Sequence, residues 1–273
     1  MRTLLIGDTA AQEFRPVAEF LRRETDLSEV ANLTEAMNLV DLGSFAPEAV
    51  VLAQDRPGLF GDSDLEALRR AAPLARFLGL LGSWCEGERR TGQPWPGMIR
   101  TYWHQWLARW SRDFLQGTGG DLRWWGLPDT VGDDERLMQL AEVDWPERQG
   151  LIAVCSRSFD IGDYLVEACA AGGYSAMWVD PRKPRQAIRP QVVVWDGVPD
   201  ELRAIEKVRQ QFPAASIVVL LDFPRIDDVT EAVRRGAAAV LSKPLRVEDL
   251  LFELDRLSTP GEFVAPSSKA SVV

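Results

Sequence analysis

The stretch Gly236-Ala237-Ala238-Ala239-Val240-Leu241-Ser242-Lys243-Pro244 is the most informative in the chain. A glycine able to stop a helix precedes a short apolar run, which ends in a lone lysine and a proline. Lysine is scarce here, four against 27 arginines, so its place at the end of a strand-like run carries information. A second stretch, Pro190-Gln191-Val192-Val193-Val194-Trp195-Asp196, ends in a carboxylate 47 residues earlier. The pair suggests an acid able to take a phosphoryl group beside an ammonium able to answer its charge.

Around these two stretches, Leu151–Val154, Ser175–Val179, Val192–Trp195, Ile217–Leu221 and Ala237–Leu241 are short runs, apolar on both faces. Such runs fit parallel strands covered by helices on either side. Ile161, Leu165, Ala168 and Cys169 recur at helical spacing, and Asp200–Gln211, Asp227–Arg235 and Val247–Leu257 fill the remaining gaps as helices. Gly236 suits a helix C-cap, with Arg234 and Arg235 complementing the dipole. The alternation predicts a doubly wound α/β sheet with its ligand crevice at the carboxyl ends of the strands.

The first half repeats the theme. Thr3–Ile6, Val30–Leu33, Glu48–Ala53 and Phe77–Leu81 are the expected strands; Ala11–Arg23, Glu35–Leu42 and Asp64–Ala71 are the expected helices. A further helix is expected over Met98–Leu115, then a fifth strand over Leu122–Trp125. The chain thus divides into 1–145, with a Trp-rich insertion at about 83–97, and 150–258, followed by a flexible tail, 259–273. Each domain is expected to be a mainly parallel five-stranded, flavodoxin-like sheet with helices on both faces.

Composition narrows the function. A net charge of −10 and a pI near 4.8 argue against a nucleic-acid footprint, which needs a basic face. No apolar stretch approaches the roughly 18 residues of a membrane span, and the N-terminus does not read as a signal peptide. Cys85, Cys155 and Cys169 form no CxxC or Cys/His cluster, so buried reduced thiols in a cytoplasmic protein are expected. His104 is the only histidine, and no glycine-rich phosphate loop precedes a helix. Catalysis is therefore not expected; a thiol nucleophile at Cys85 is the remaining enzymatic alternative.

The second half, from about Gly150 to Leu257, resembles the receiver domain of two-component response regulators. The resemblance rests on Ala171-Gly172-Gly173-Tyr174, Pro190 to Asp196, Gln211-Phe212-Pro213, the Asp228-Val229 to Gly236-Ala237 region, and Ser242-Lys243-Pro244. It implies that Asp196 corresponds to the phosphoacceptor and Lys243 to the lysine contacting the phosphoryl oxygens. It also implies a cis Lys-Pro bond and a Mg²⁺ site built on two acids after strand one. Here those acid positions are Cys155 and Ser156, followed by Arg157, and Leu221 stands where the family has a switch hydroxyl. A thiol and a hydroxyl are poor partners for a hard cation, and phosphoryl transfer to a carboxylate needs one.

Two readings of Asp196 and Lys243 are open: a working phosphoacceptor with a metal site drawing on Asp160, Asp163 or Asp222, or a retained ion pair that locks strand three to strand five. No cofactor is expected, and Mg²⁺ only in the first reading. The first half resembles a receiver in outline, with Ala53 at the acceptor position, Leu127 at the lysine position and Asp8 as the surviving acid. Ile99, Trp103, Trp106, Trp110 and Phe114 follow helical spacing. That face reads either as core or, with Trp124 and Trp125, as a partner-binding surface, since Trp and Arg anchor interfaces. The expected activity is that of a non-catalytic adaptor of tandem pseudo-receivers. Its partners would be proteins, with a histidine kinase or another two-component protein as the family's implication, and neither nucleic acid nor membrane.

Overall fold

The computed structural model describes residues 1–41, 43, 45–86, 95, 98–115, 148–183 and 188–258. The chain divides into two compact units, Met1–Val143 and Asp144–Val273.

Unit 1 is built from β1 (Arg2–Ile6), α1 (Arg15–Glu24), β2 (Asp26–Val30), α2 (Leu33–Asp41), β3 (Ala49–Gln54), α3 (Asp62–Ala71), β4 (Arg76–Leu81), β5 (Ile99–Tyr102) and α4 (Trp103–Leu115). Its strands form one parallel sheet in the order β2-β1-β3-β4-β5. The central strand β3, Ala-Val-Val-Leu-Ala-Gln, is buried at every position, as a strand covered on both faces must be.

Unit 2 repeats the plan with β6 (Leu151–Cys155), α5 (Phe159–Ala171), β7 (Ser175–Val179), β8 (Val192–Asp196), α6 (Ala204–Gln211), β9 (Ser216–Asp222), α7 (Ile226–Arg234), β10 (Ala239–Lys243) and α8 (Val247–Ser258). The sheet order is β10-β9-β8-β6-β7, again parallel throughout. One face of it packs on Leu202, Ile205, Val208 and Phe212 around α6 and on Ala232 of α7. Gly236 stops α7 at φ +103°, a backbone region that glycine enters without a Cβ penalty, and Ala237 N donates to Ala232 O at 3.0 Å.

The two-domain, doubly wound expectation holds, and four local expectations are corrected. The second strand is Asp26–Val30, earlier than Val30–Leu33. Ile99 to Tyr102 is strand β5, with Ile99 and Thr101 buried, so the helix begins only at Trp103. The place beside β4 assigned to Leu122–Trp125 is filled by β5; residues 122–125 lie outside the described residues. Finally, 83–97 is not an insertion. The β4-to-β5 connection, 82–98, has 17 residues, against 16 in the β9-to-β10 connection, 223–238.

The tryptophans of α4 are core. Trp106 and Trp110 are fully buried and Trp103 nearly so, where α4 packs on α1, β4 and β5. The Trp106 and Trp110 rings lie 6.1 Å apart, and Trp110 Nε1 donates to Thr101 Oγ1 at 2.8 Å. A buried indole N–H needs such an acceptor. The partner-face reading of Trp103, Trp106 and Trp110 is thereby corrected; Phe114's side chain, Trp124 and Trp125 fall outside the described residues.

Candidate functional site

In unit 2 the strand ends converge on Asp196, the last residue of β8. Cys155 of β6 pairs with Trp195 of β8, so the residue after β6, Ser156, comes level with Asp196. On the other side Asp196 pairs with Leu220 of β9, and Lys243 of β10 with Asp222. Register alone thus gathers a hydroxyl, a carboxylate and an ammonium at one sheet end.

Both Asp196 oxygens are taken. Lys243 Nζ donates to Oδ1 at 2.6 Å and Ser156 Oγ to Oδ2 at 2.7 Å. Lys243 Nζ also reaches Gly197 O at 3.2 Å and Asp222 Oδ1 at 3.3 Å. The site is nearly dry: Ser156 is fully buried, and the side chains of Asp196 and Lys243 are 9% and 18% exposed. Ser156 is fixed in turn, its Oγ accepting from Ser158 N at 3.2 Å and its carbonyl from Trp178 Nε1 at 2.9 Å. The Lys243–Pro244 peptide is cis.

The donor set fits Mg²⁺ poorly. Cys155 is buried, and burial pushes its thiol up to about 12, so it stays protonated. Ser156 offers a neutral oxygen already committed to Asp196. Arg157 brings a cation, paired with Glu201. Asp160 and Asp163 are exposed on α5, while Asp222 faces Lys243. Among the described residues no three His, Cys, Asp or Glu side chains are gathered as metal ligands. Leu221, at the switch position, is fully buried and brings no hydroxyl.

The same register applied to unit 1 changes two assignments. Ala53 pairs with Leu80, and Leu80 with Thr101, so Trp103 is the counterpart of Lys243. Leu127 lies outside the described residues. Ile6 and Gly7 match Cys155 and Ser156, which leaves Asp8 opposite Arg157 rather than in the acid pair. Asp8 closes a turn instead, accepting from Ala10 N at 3.0 Å. Where unit 2 has its ion pair, unit 1 has a Trp–Ser–Glu chain. Trp103 Nε1 donates to Ser83 Oγ at 3.1 Å, and Ser83 Oγ to Glu13 Oε1 at 2.6 Å. Gly7 sits at φ +124°, and a Cβ there would lie 2.4 Å from Ala53 O, so the backbones fill the acceptor position. A cleft of about 530 Å³ opens beside it, between Asp8, Asn32, Asp55 and Asp64.

The sequence singled out Asp196, Lys243, Cys155, Ser156 and Leu221, and the structure brings all five to one strand end. It missed Ser83 and Glu13, which carry no motif. Cys85 is fully buried with Sγ 3.4 Å from Gln54 O, a poor place for a nucleophile.

Several solved structures of response regulators are similar to part of the chain. The chain is similar to the Francisella response regulator 1452 receiver domain at 14% identity and TM-score 0.36, over 40% of this chain and 97% of that one. It is similar to a Thermotoga maritima response regulator at 22% and 0.35, over 40% and 98%. Chemotaxis response regulator CheY4 of Vibrio cholerae gives 21% and 0.36, over 40% and 99%. No family model matches the chain. No curated protein matches it either. The assignment of site residues rests on sheet order and register rather than on these likenesses. No helix among the described residues is long and apolar enough to cross a membrane.

Proposed function

We propose that the chain is a cytoplasmic signalling adaptor of two receiver-like units, acting by protein–protein binding without phosphoryl transfer. One observation supports this most directly: both oxygens of Asp196 are engaged, by Ser156 and Lys243, and the residues at the end of β6 beside them are Cys155 and Ser156 rather than acids. Attack by a carboxylate on a phosphoryl group needs a cation to offset charge on the approaching oxygens. Here Lys243 supplies one positive charge, while Cys155 and Ser156 stand where the acids would be required and the cation of Arg157 follows them. The hydroxyl of Ser156 occupies the oxygen that a metal would take. Unit 1 is closed more completely, with Ala53 at the acceptor position and Trp103 at the lysine position.

The short Lys243–Asp196 contact also supports a second reading, in which Asp196 remains a phosphoacceptor that uses Mg²⁺ and a two-component partner such as a histidine kinase. Beryllofluoride with millimolar Mg²⁺ separates the two. The adaptor reading expects no saturable change in the fluorescence of Trp178 and Trp195. A saturable response abolished by Asp196→Asn would establish the phosphoacceptor instead.

A further inference from the structure

We propose that the cleft in unit 1 binds a small organic dication, two amine or guanidine groups carried on a short apolar chain. At about 530 Å³ the cleft is of a size that takes a small molecule. Three segments enclose it: Gly7 and Asp8 after β1, the connection from β2 into α2, and the connection from β3 into α3. In the order β2-β1-β3-β4-β5 the winding reverses between β1 and β3, where the flanking connections part and leave a crevice. The lining includes neither Ala53 nor Trp103, so the cleft is distinct from the closed acceptor position.

Its wall is part apolar and part acidic. Leu33 and Phe60 line it from the core, with the Phe60 ring 5.9 Å from that of Trp95. Leu59 lines it while 48% exposed, and an aliphatic chain lying on it would take that surface out of water. Asp8, Asp55 and Asp64 reach the cleft from different segments. Asp8 accepts from Ala10 N, and neither it nor Asp64 meets a cationic side chain among the described residues. Asp55 has Arg56 at 3.1 Å, but that pair is solvated, contributes little, and can yield to a bound cation.

Other ligand classes fit less well. An anion would need free backbone N–H groups, and the start of α2 is already closed: Asn32 Oδ1 accepts from Glu35 N at 3.0 Å, and Glu35 Oε2 from Ala31 N at 2.9 Å. The first turn of α3 carries Asp62 and Asp64, which repel an anion there. A bare metal ion needs converging ligands, and among the described residues no three His, Cys, Asp or Glu side chains gather that way. Carboxylates held apart beside an apolar wall suit positive charges held apart on an apolar frame. Each exposed carboxylate contributes little alone, so affinity comes from joining the contacts on one ligand. The proposal goes beyond the adaptor reading by giving unit 1 a ligand of its own.

The test titrates the full chain with agmatine by calorimetry, with hydrogen exchange locating the site. Agmatine should bind saturably, weaken with salt, and protect amides within 31–34 and 55–64. Asp8→Asn/Asp64→Asn should weaken binding about tenfold or more, and Leu59→Ser severalfold, while exchange in β1 and β3 stays native. All three positions are exposed, so the variants should fold. Asp160→Asn/Asp163→Asn in unit 2 changes the net charge equally and should leave the affinity unchanged. Pentanol, Mg²⁺ and inorganic phosphate, each at the concentration of agmatine, should not compete. Absence of saturable binding, native affinity in the cleft variants, an equal loss in the unit 2 variant, or protection elsewhere would overturn the proposal. Displacement by Mg²⁺ or phosphate would do so too, the cleft then being a site for an inorganic ion. Asp196→Asn should leave agmatine affinity unchanged, so a failed beryllofluoride test and a failed agmatine test are told apart.

Discussion

Removing Lys243 while keeping Asp196 should damage unit 2 far more than removing both charges. At 2.6 Å and an effective dielectric of about 20, the attraction is roughly 6 kcal/mol. Desolvation of two largely buried groups takes back most of it, so the intact pair is close to neutral for stability. Lys243→Met leaves a carboxylate only 9% exposed and held by Ser156 alone, at a cost of about 3–5 kcal/mol. Asp222 gains little by losing its contact, because it is half exposed and screened. In Asp196→Asn/Lys243→Met the Asn carbonyl can still accept from Ser156, so the double variant should recover about 2 kcal/mol or more as coupling energy. Native-state hydrogen exchange in urea, read on peptides covering β8 and β10, measures the opening energy of this unit by itself. A Lys243→Met cost below about 1 kcal/mol, or costs that simply add, would refute a locked, desolvated pair.

Three further outcomes are expected. Gly7→Ala should destabilise unit 1 by about 2 kcal/mol or more, since its φ of +124° and the 2.4 Å approach to Ala53 O leave a Cβ no room; exchange in β1 and β3 would report it, and native-like protection would count against the filled acceptor position. Cys155 and Cys169, whose thiols burial pushes up to about 12, should resist alkylation at pH 8 in the folded protein and react fully in urea, which intact-mass measurement reads directly. Glu253 is buried on α8, and burial raises its carboxyl above the usual range despite Arg256. A raised carboxyl holds its proton where the unfolded chain has released it, so its ionisation opposes folding as pH climbs past about 4.5. Glu253→Gln should therefore raise the thermal midpoint at pH 7 and leave it nearly unchanged at pH 4; equal shifts at both would show that charge is not the cause.

Most of unit 2 was legible because its central strands are buried on both faces, and that leaves continuous runs such as Val192-Val193-Val194-Trp195. Edge strand β2, Asp-Leu-Ser-Glu-Val, has no such run, and so its position is hard to read from residues alone. Strand β5 was hidden by coincidence. Ile99, Trp103, Trp106 and Trp110 obey helical spacing, and that swallowed the alternating burial of Ile99 and Thr101 in the strand before the helix. The same coincidence displaced the counterpart of Lys243 from Trp103 to Leu127. Asp196 and Lys243 could be paired from sequence because each ends a parallel strand. Two contacts could not be: Ser156 Oγ aimed at Asp196, and Ser83 joining Glu13 to Trp103. Both depend on where loops fold back over the strand ends.

A site closed to Mg²⁺ is tested best by intact mass after incubation of the full chain with acetyl phosphate and excess Mg²⁺. Alongside it, Cys155→Asp/Ser156→Asp returns two acids beside Asp196. The wild-type chain should carry no phosphoryl adduct, and calorimetry should detect Mg²⁺ binding only in the double variant. A phosphoryl adduct on the wild-type chain that disappears in Asp196→Asn would contradict the closed site.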